Sequence, residues 1–158
     1  MAVIIITGTP GTGKTELAKE IAKNGFEYVD ANKVIDENKL IESFDKKRDT
    51  NVVDEKKLAD AFVKLIKSKK AHKLIIDSHM SHCVPSKYVD VCIVTKCDLK
   101  VLKKRLEKKG YSKEKVRENL DAEIFDVCLN ESMESGHNLL IVDTTKRNPK
   151  ELAKALLK

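Results

Sequence analysis

Aromatic residues are scarce in this sequence. They make up 4% of its 158 residues, and tryptophan is absent. A surface that stacks the bases of single-stranded RNA is therefore not expected. No apolar run approaches the roughly 20 residues that a membrane-spanning helix needs, so we expect no membrane partner. The apolar start is short and has no basic leader, and we expect no signal peptide.

The four cysteines, Cys83, Cys92, Cys97 and Cys128, form no C-x-x-C pair. We interpret them as reduced thiols of a cytosolic type of compartment. This predicts a cytoplasmic protein, nuclear as well if the source is eukaryotic. Cys92 lies within an apolar run and is expected in the core.

Positive charge exceeds negative charge, with a formal net charge of +6. A basic surface permits contact with RNA or with a ribosome. Most of the lysines, however, fall on the polar faces of predicted helices. A plain solvated surface is therefore the alternative interpretation.

Residues 8 to 15 read GTPGTGKT and fit the phosphate-loop pattern G-x-x-x-x-G-K-[ST]. A β-branched apolar run precedes the motif, and a helix-competent segment follows it. Backbone N–H groups of such a loop, together with the helix N-terminus, surround phosphate oxygens. Lys14 is expected to reach the β- and γ-phosphates, and the Thr15 hydroxyl to ligate Mg²⁺. A glycine turn with an ordinary surface lysine is the alternative.

Predicted strands and helices alternate along the chain. The strands are Val3–Thr7, Glu27–Asp30, Leu74–Asp77, Val89–Thr95 and Leu139–Asp143. The helices are Lys14–Lys23, Asn32–Phe44, Asp54–Ser68, Leu99–Lys109, Lys113–Glu134 and Pro149–Leu157. This alternation predicts a single α/β domain over residues 1–158, with a five-stranded parallel sheet covered by helices on both faces. Ligands are expected at the carboxyl ends of the strands.

Asp77 ends an apolar strand, where the acid that holds Mg²⁺ belongs in a phosphate-loop protein. Capping of the next turn is the alternative role. His79 follows two residues later and is a candidate for positioning or activating the acceptor. A zinc site of His79, His82 and Cys83 is also conceivable, as is a purely structural loop histidine.

Arg105 and Lys109 are four residues apart and so share one face of a predicted helix. Cations so placed would stabilise a transferring phosphoryl group. The following stretch, 108–115, has the composition of a short flap that closes over a site. A basic surface helix ending at Gly110 is the alternative.

A guanine-specific protein must also be considered. Residues 95–98 read TKCD and fit the guanine-binding pattern [NT]-K-x-D, and 144–146 faintly resemble a second base motif. Small GTPases also need D-x-x-G, whereas the stretch that begins at Asp77 has Met80 in the glycine position. The GTPase interpretation is therefore disfavoured.

Three stretches together resemble the adenylate kinase isoenzyme six family, also known as the coilin-interacting nuclear ATPase, which has archaeal members. They are TGTPGTGKT at 7–15, the D-x-H of Asp77 and His79, and RLEKKGYSKEKVRENLDAEIFDV at 105–127. The third stretch is the most specific. The resemblance covers nearly the whole chain.

This resemblance implies a nucleoside monophosphate kinase fold, with an acceptor-binding region at about 32–55 and a short lid at about 108–118. It implies broad nucleoside monophosphate kinase activity with ATP and Mg²⁺, ATP hydrolysis, and a role in small-subunit rRNA maturation. The implied partners are a nucleoside monophosphate, chiefly AMP, and the small-subunit ribosomal protein known as universal protein eleven, with a possible pre-ribosomal RNA contact. ATP-contacting positions carry over as Gly11, Gly13, Lys14, Thr15 and Glu16.

The chain departs from the family pattern at three positions. Lys109 replaces an arginine, which keeps the charge but loses the planar fork. His82 stands at a commonly acidic position. Asp36 falls near the acceptor-side arginine of related kinases, where a carboxylate would repel the acceptor phosphate. We therefore expect weak binding of AMP.

Overall fold

The structure is a computed structural model that describes residues 2–68, 72–146 and 148–157. Its elements follow in chain order as β1 (Val3–Thr7), α1 (Lys14–Ala22), β2 (Phe26–Asp30), α2 (Ala31–Glu37), β3 (Ile41–Asp45), β4 (Thr50–Val53), α3 (Glu55–Ser68), β5 (Lys73–Asp77), β6 (Val91–Lys96), α4 (Leu99–Lys108), α5 (Lys113–Ile124), α6 (Val127–Glu134), β7 (Leu139–Asp143) and α7 (Pro149–Leu156). Two short 3₁₀ turns, Ser81–Cys83 and Ser86–Tyr88, connect β5 to β6.

Five of these strands form one parallel sheet in the order β2-β5-β1-β6-β7. β1 lies in the centre, with Ile5 opposite Ile76 of β5 on one side and Cys92 of β6 on the other. The predicted α/β fold with a five-stranded parallel sheet is confirmed. All five strands run the same way, so their carboxyl ends meet at one edge of the sheet.

Both faces of the sheet are buried, which explains why its central strands are continuous apolar runs. Ile5 and Ile76 pack with Phe62 of α3 on one face. Ile6 and Ile75 point to the opposite face and pack with residues of α1 and α7. Cys92 is fully buried on the first face, as predicted.

The predicted helix Asn32–Phe44 is wrong in its second half. α2 ends at Glu37, and β3 and β4 form an antiparallel hairpin over the following residues. Lys39 adopts a positive φ of 51° that cannot continue a helix. At the tip, the Asp45 carboxylate accepts hydrogen bonds from the backbone N–H groups of Lys47 and Arg48. This local side-chain capping favours a turn over a helix.

The predicted helix Lys113–Glu134 is two helices. It breaks at Asp126, which has φ 51° and ψ 43°. The Asp126 carboxylate accepts a hydrogen bond from the Lys96 ammonium at the end of β6. Aspartate tolerates the left-handed region of backbone conformation, and this distant contact fixes Asp126 there. The helix is therefore interrupted at Asp126, and α6 begins after it.

The remaining predicted elements agree with the structure within two residues at each end. Val3–Thr7 and Leu139–Asp143 coincide with β1 and β7. Within the described ranges, no helix combines the length and apolar character that a bilayer-spanning segment requires.

The exit from β1 depends on Gly8. Its φ is +149°, and an added Cβ would lie 2.2 Å from Thr95 Oγ1 and 2.8 Å from the Thr95 carbonyl oxygen. Gly25 also has a positive φ, of +91°, but no atom lies within 4 Å of its would-be Cβ. A comparison of substitutions at the two glycines therefore distinguishes the cost of backbone strain from the cost of a steric clash.

We expect Gly8→Ala to lower the free energy of unfolding by on the order of 3 kcal/mol, because it adds a clash to backbone strain. Gly25→Ala should cost about 1 kcal/mol from strain alone. Urea unfolding of both variants and the wild type measures the difference. Equal losses would show that Gly8 is not sterically excluded.

Candidate functional site

A cleft of about 1470 Å³ opens at the carboxyl edge of the sheet. It is larger than the roughly 300–1,000 Å³ that is typical of a site for one small molecule. The loop between β1 and α1 lines one part of it, and the β3–β4 hairpin contributes Arg48 and Thr50 to another. The turn between α4 and α5 contributes Lys109 and Tyr111.

The loop that follows β1 is folded as an anion-binding loop. Gly13 has φ 88° and precedes α1 with no side chain to cap the first N–H groups of that helix. Unpaired N–H groups and the positive end of the helix dipole suit a phosphate at this point. Thr12 fixes the loop, because its backbone N–H donates to the Thr9 carbonyl and its hydroxyl lies 2.7 Å from that of Thr95.

Lys14 is buried, with 8% of its surface exposed. Its ammonium donates to the Thr9 carbonyl at 3.2 Å. Burial lowers the pKa of Lys14 to about 8, although the nearby Asp77 carboxylate opposes this shift. An added phosphate group would favour the charged form in the same way as a carboxylate does. The sequence motif did not reveal this burial.

Thr15 and Asp77 are brought into direct contact. The Thr15 hydroxyl donates to Asp77 Oδ2 at 2.7 Å, across 62 positions of sequence. Both groups offer the oxygen atoms that Mg²⁺ prefers, and neither is committed to capping a turn. Tyr28 of β2 donates to the same carboxylate oxygen at 2.7 Å. Burial, together with this contact, raises the pKa of Tyr28.

His79 lies on the cleft wall with its side chain accessible to solvent. The surrounding protein lowers the pKa of His79 to about 4, and the positive charge of Lys14 adds to this effect. A neutral imidazole can accept a proton or hold a water molecule. His79, Asp77 and Lys14 all line the same cleft.

His82 is buried and has a different environment from His79. Its Nδ1 lies 3.1 Å from the Thr7 hydroxyl, and its Nε2 lies 2.6 Å from Glu131 Oε2 of α6. These contacts link α6 to the end of β1. No group of three His, Cys, Asp or Glu side chains in the described part of the chain could hold a metal ion, so the structure gives no zinc site here.

Arg105 and Lys109, which were predicted to share one helix face, both line the cleft. The Arg105 guanidinium donates to the Gly11 carbonyl at 3.4 Å and to the Thr144 carbonyl at 3.0 Å. It thus joins α4 to the phosphate loop and to the segment after β7. The Lys109 ammonium lies 5.9 Å from the centre of the Tyr111 ring. Glu16 and Gly11 also line the cleft.

The hairpin brings Arg48 into the cleft, and the sequence interpretation missed this residue. Arg48 Nε lies 3.4 Å from Glu118 of α5, and the Lys115 ammonium donates to the Asp49 carbonyl at 2.7 Å. Asp36, by contrast, is an exposed residue of α2 that does not line the cleft. The expected repulsion between Asp36 and an acceptor phosphate therefore loses its structural basis.

The residues of the guanine-like motif are engaged elsewhere. The Lys96 ammonium binds the carboxylates of Glu123 and Asp126. The Asp98 carboxylate caps α4 by accepting from the N–H groups of Lys100 and Val101. A guanine base needs that aspartate free, so the motif is structural in this protein.

Comparisons with known proteins identify the family of this chain. The sequence model of a family described as an AAA domain matches residues 4–126. An adenylate kinase isoenzyme 6 homolog of Caenorhabditis elegans is 37% identical over 84% of this chain and 72% of its own length. The chain belongs to the adenylate kinase isoenzyme 6 family.

Further relatives extend the match over nearly the whole chain. A protein of Methanocaldococcus jannaschii, provisionally named an adenylate kinase, is 37% identical over 98% of this chain and 83% of its own length. Among solved structures, a shikimate kinase from Acinetobacter baumannii aligns with a TM-score of 0.64, over 99% of this chain and 91% of its own, at 13% identity. This last likeness concerns the fold alone.

Proposed function

We propose that this protein is a nucleoside monophosphate kinase that transfers the γ-phosphoryl group of ATP to AMP and, more broadly, to other nucleoside monophosphates. The observation that carries the proposal is one cleft lined by cations from two different elements. Lys14 comes from the phosphate loop, and Arg48 comes from the hairpin. Family membership supports a phosphotransferase. The hairpin region, 32–55, is then the acceptor side, and 108–118 is the lid.

The residues that line the cleft have separate tasks in this reaction. The N–H groups at the start of α1 bind the β- and γ-phosphates of ATP. The Lys14 ammonium has three donors, so it binds these phosphates while one donor stays on the Thr9 carbonyl. Thr15 and Asp77 supply oxygen ligands for Mg²⁺, which, when bound, neutralises charge on the transferring group. Arg105 and Lys109 add positive charge at the lid side. The acceptor oxygen attacks in line with the departing ADP.

Replacement of Lys14 tests the kinase proposal. Because Lys14 is buried, Lys14→Met is preferable to an alanine, since it keeps the aliphatic stem. We expect AMP phosphorylation to fall on the order of 10²-fold or more, with the melting temperature unchanged, because the transition state loses a cation. Lys56→Met, an exposed residue of α3, is the matched control. A folded Lys14→Met enzyme with wild-type turnover would refute the proposal.

ATP hydrolysis is the second reaction that we propose for the same site, with water in place of the acceptor. The neutral His79 ring would hold the attacking water and take up its proton. We expect His79→Ala to lower kcat for ATP hydrolysis by about 10²-fold while ATP affinity changes little. Steady-state kinetics and calorimetric titration measure the two quantities. His72→Ala, an exposed histidine outside the cleft, should change neither, and an unchanged kcat in His79→Ala would leave that histidine without a catalytic role.

A role in assembly of the small ribosomal subunit is a second candidate function, and the distribution of charge favours it. Residues 100–117 contain nine Lys or Arg and two Glu, a net charge of +7, whereas the whole chain carries +6. The remainder therefore sums to −1. Three of these cations, Lys100, Lys103 and Lys104, are exposed on α4 and have no ion-pair partner among the described residues. They would bind RNA phosphates, in pre-ribosomal RNA or near universal protein eleven.

Neutralisation of these lysines tests the RNA contact. We expect K100Q/K103Q/K104Q to weaken binding of a 20-nucleotide single-stranded RNA at least tenfold. The slope of log affinity against log salt should fall by about 2, because each lost phosphate contact removes about 0.7. K56Q/K57Q/K64Q on α3 changes the net charge equally and should weaken binding less than threefold. If both variants weaken RNA binding equally, the binding depends only on net charge, and α4 is not a specific RNA contact.

A further inference from the structure

The proposed reaction leaves the buried carboxylate of Glu123 unexplained. This residue lies at the carboxyl end of α5 and is 6% exposed. Its Oε1 accepts from the Thr9 hydroxyl at 3.0 Å and from the Lys96 ammonium at 2.8 Å. Its Oε2 accepts from the backbone N–H of Cys97 at 2.8 Å. One side chain therefore joins the phosphate loop, the end of β6 and α5.

A buried carboxylate is a costly way to join three elements. Removing a charge from water is expensive, and packed apolar side chains often stabilise a fold equally well. What a carboxylate adds is direction, since each of its oxygens fixes a donor within about 3 Å. The donor fixed in the phosphate loop is Thr9, at a position where the phosphate-loop pattern accepts any residue.

Thr9 in turn determines where Lys14 points. The Thr9 carbonyl accepts from the Lys14 ammonium at 3.2 Å, and also from the Thr12 backbone N–H at 3.1 Å and the Thr12 hydroxyl at 2.6 Å. A shift of Thr9 would therefore move both the loop backbone and the anchor of the lysine. Errors of this kind matter, because a misplacement of about 1 Å can cost 10²-fold in rate.

The other end of α5 meets the hairpin. Lys115 donates to the Asp49 carbonyl, and Glu118 pairs with Arg48. One helix of twelve residues thus contacts the acceptor hairpin near its start and the phosphate loop at its end. A helix is stiff over this length, so a movement of the hairpin would be transmitted to Glu123.

We propose that Glu123 is a positioning residue that, through the Thr9 hydroxyl, holds the phosphate loop and the Lys14 ammonium in register with the hairpin side of the cleft. This inference rests on the proposed function and assigns a task to a residue that does not touch the nucleotide. Its effect belongs to the binding of ATP and to the transfer of the phosphoryl group. Binding of AMP, on the hairpin side of the cleft, should depend on it little.

The sharpest test removes one hydroxyl. Thr9→Val keeps the shape of the side chain and loses the donor to Glu123, whereas Thr9→Ser keeps the donor. We expect Thr9→Val to lower kcat for AMP phosphorylation about tenfold and to weaken ATP binding, measured by calorimetry, by a similar factor. KM for AMP should stay within twofold. Thr9→Ser should restore kcat and ATP binding to within threefold of the wild type.

A control separates positioning from stability. Ser132 of α6 is a fully buried residue whose hydroxyl donates to the Cys128 carbonyl. Ser132→Ala should lower the melting temperature without changing kcat. A Thr9→Val enzyme that behaves in the same way, less stable but with normal kcat and ATP binding, would overturn the proposal. A Thr9→Ser enzyme with kcat and ATP binding as low as those of Thr9→Val would also overturn the proposal.

Glu123→Gln provides a second, independent variant. Its amide nitrogen cannot accept hydrogen bonds, so either Cys97 or Thr9 and Lys96 lose their acceptor. We expect the same loss of kcat and ATP binding with an unchanged KM for AMP. If wild-type protein fails to phosphorylate AMP, the kinase proposal fails. The calorimetric comparison of ATP binding still decides the role of Glu123, with wild-type affinity in both variants counting against it.

Discussion

The parallel pairing of β1 with β5 is the constraint on which the site depends. It places Ile6 opposite Asp77, so the phosphate loop leaves β1 at the point where β5 ends in a carboxylate. The contact between Thr15 and Asp77 then follows from the register of the two strands. A shift of one residue would turn Asp77 to the other face of the sheet. The buried apolar residues on both faces therefore fix the chemistry of the edge as well as the stability of the fold.

Electrostatics explains why this edge suits polyphosphate. Burial lowers the pKa of Lys14. Desolvation by the surrounding protein, with the positive charge of Lys14 as a further cause, lowers the pKa of His79. A negatively charged ligand between these two groups would reverse part of each shift, because an opposite charge favours the protonated form. The cleft thus holds the charged Lys14 ammonium at some cost in free energy, and binding of an anion would relieve that cost. This gives anionic ligands an advantage that a neutral ligand of the same size lacks.

Much of the fold could be predicted because its signals are local. Buried strands are apolar runs, and the phosphate loop is contiguous, so the bounds of β1 were predicted correctly. The structure brings Lys14, Thr15 and Asp77 into one cleft. The β3–β4 hairpin was missed because Ile41, Phe44 and Val52 are exposed rather than alternating between core and solvent. The break at Asp126 was missed because it depends on Lys96, thirty positions away.

The sequence analysis missed some residues of the site for the same reason, because their contacts join distant parts of the chain. Tyr28 meets Asp77 across 49 positions, and Thr9 meets Glu123 across 114. Neither pair belongs to a motif with fixed spacing, so only the folded chain brings them together. Resemblance had marked Glu123 as part of a family pattern without giving it a task. Its contacts supply that task.

The two reactions proposed for this cleft would place opposite demands on α5. Phosphoryl transfer to AMP requires the hairpin and the lid to approach each other and exclude water, whereas hydrolysis requires one water molecule to remain beside His79. The contacts of Lys115 and Glu118 with the hairpin draw the two sides together at their rims, whereas Glu123 fixes the helix at the loop. Because α5 is stiff, a displacement of the hairpin would reach the phosphate loop through Glu123. The balance between the two proposed reactions would then depend on the contacts of α5 with the hairpin.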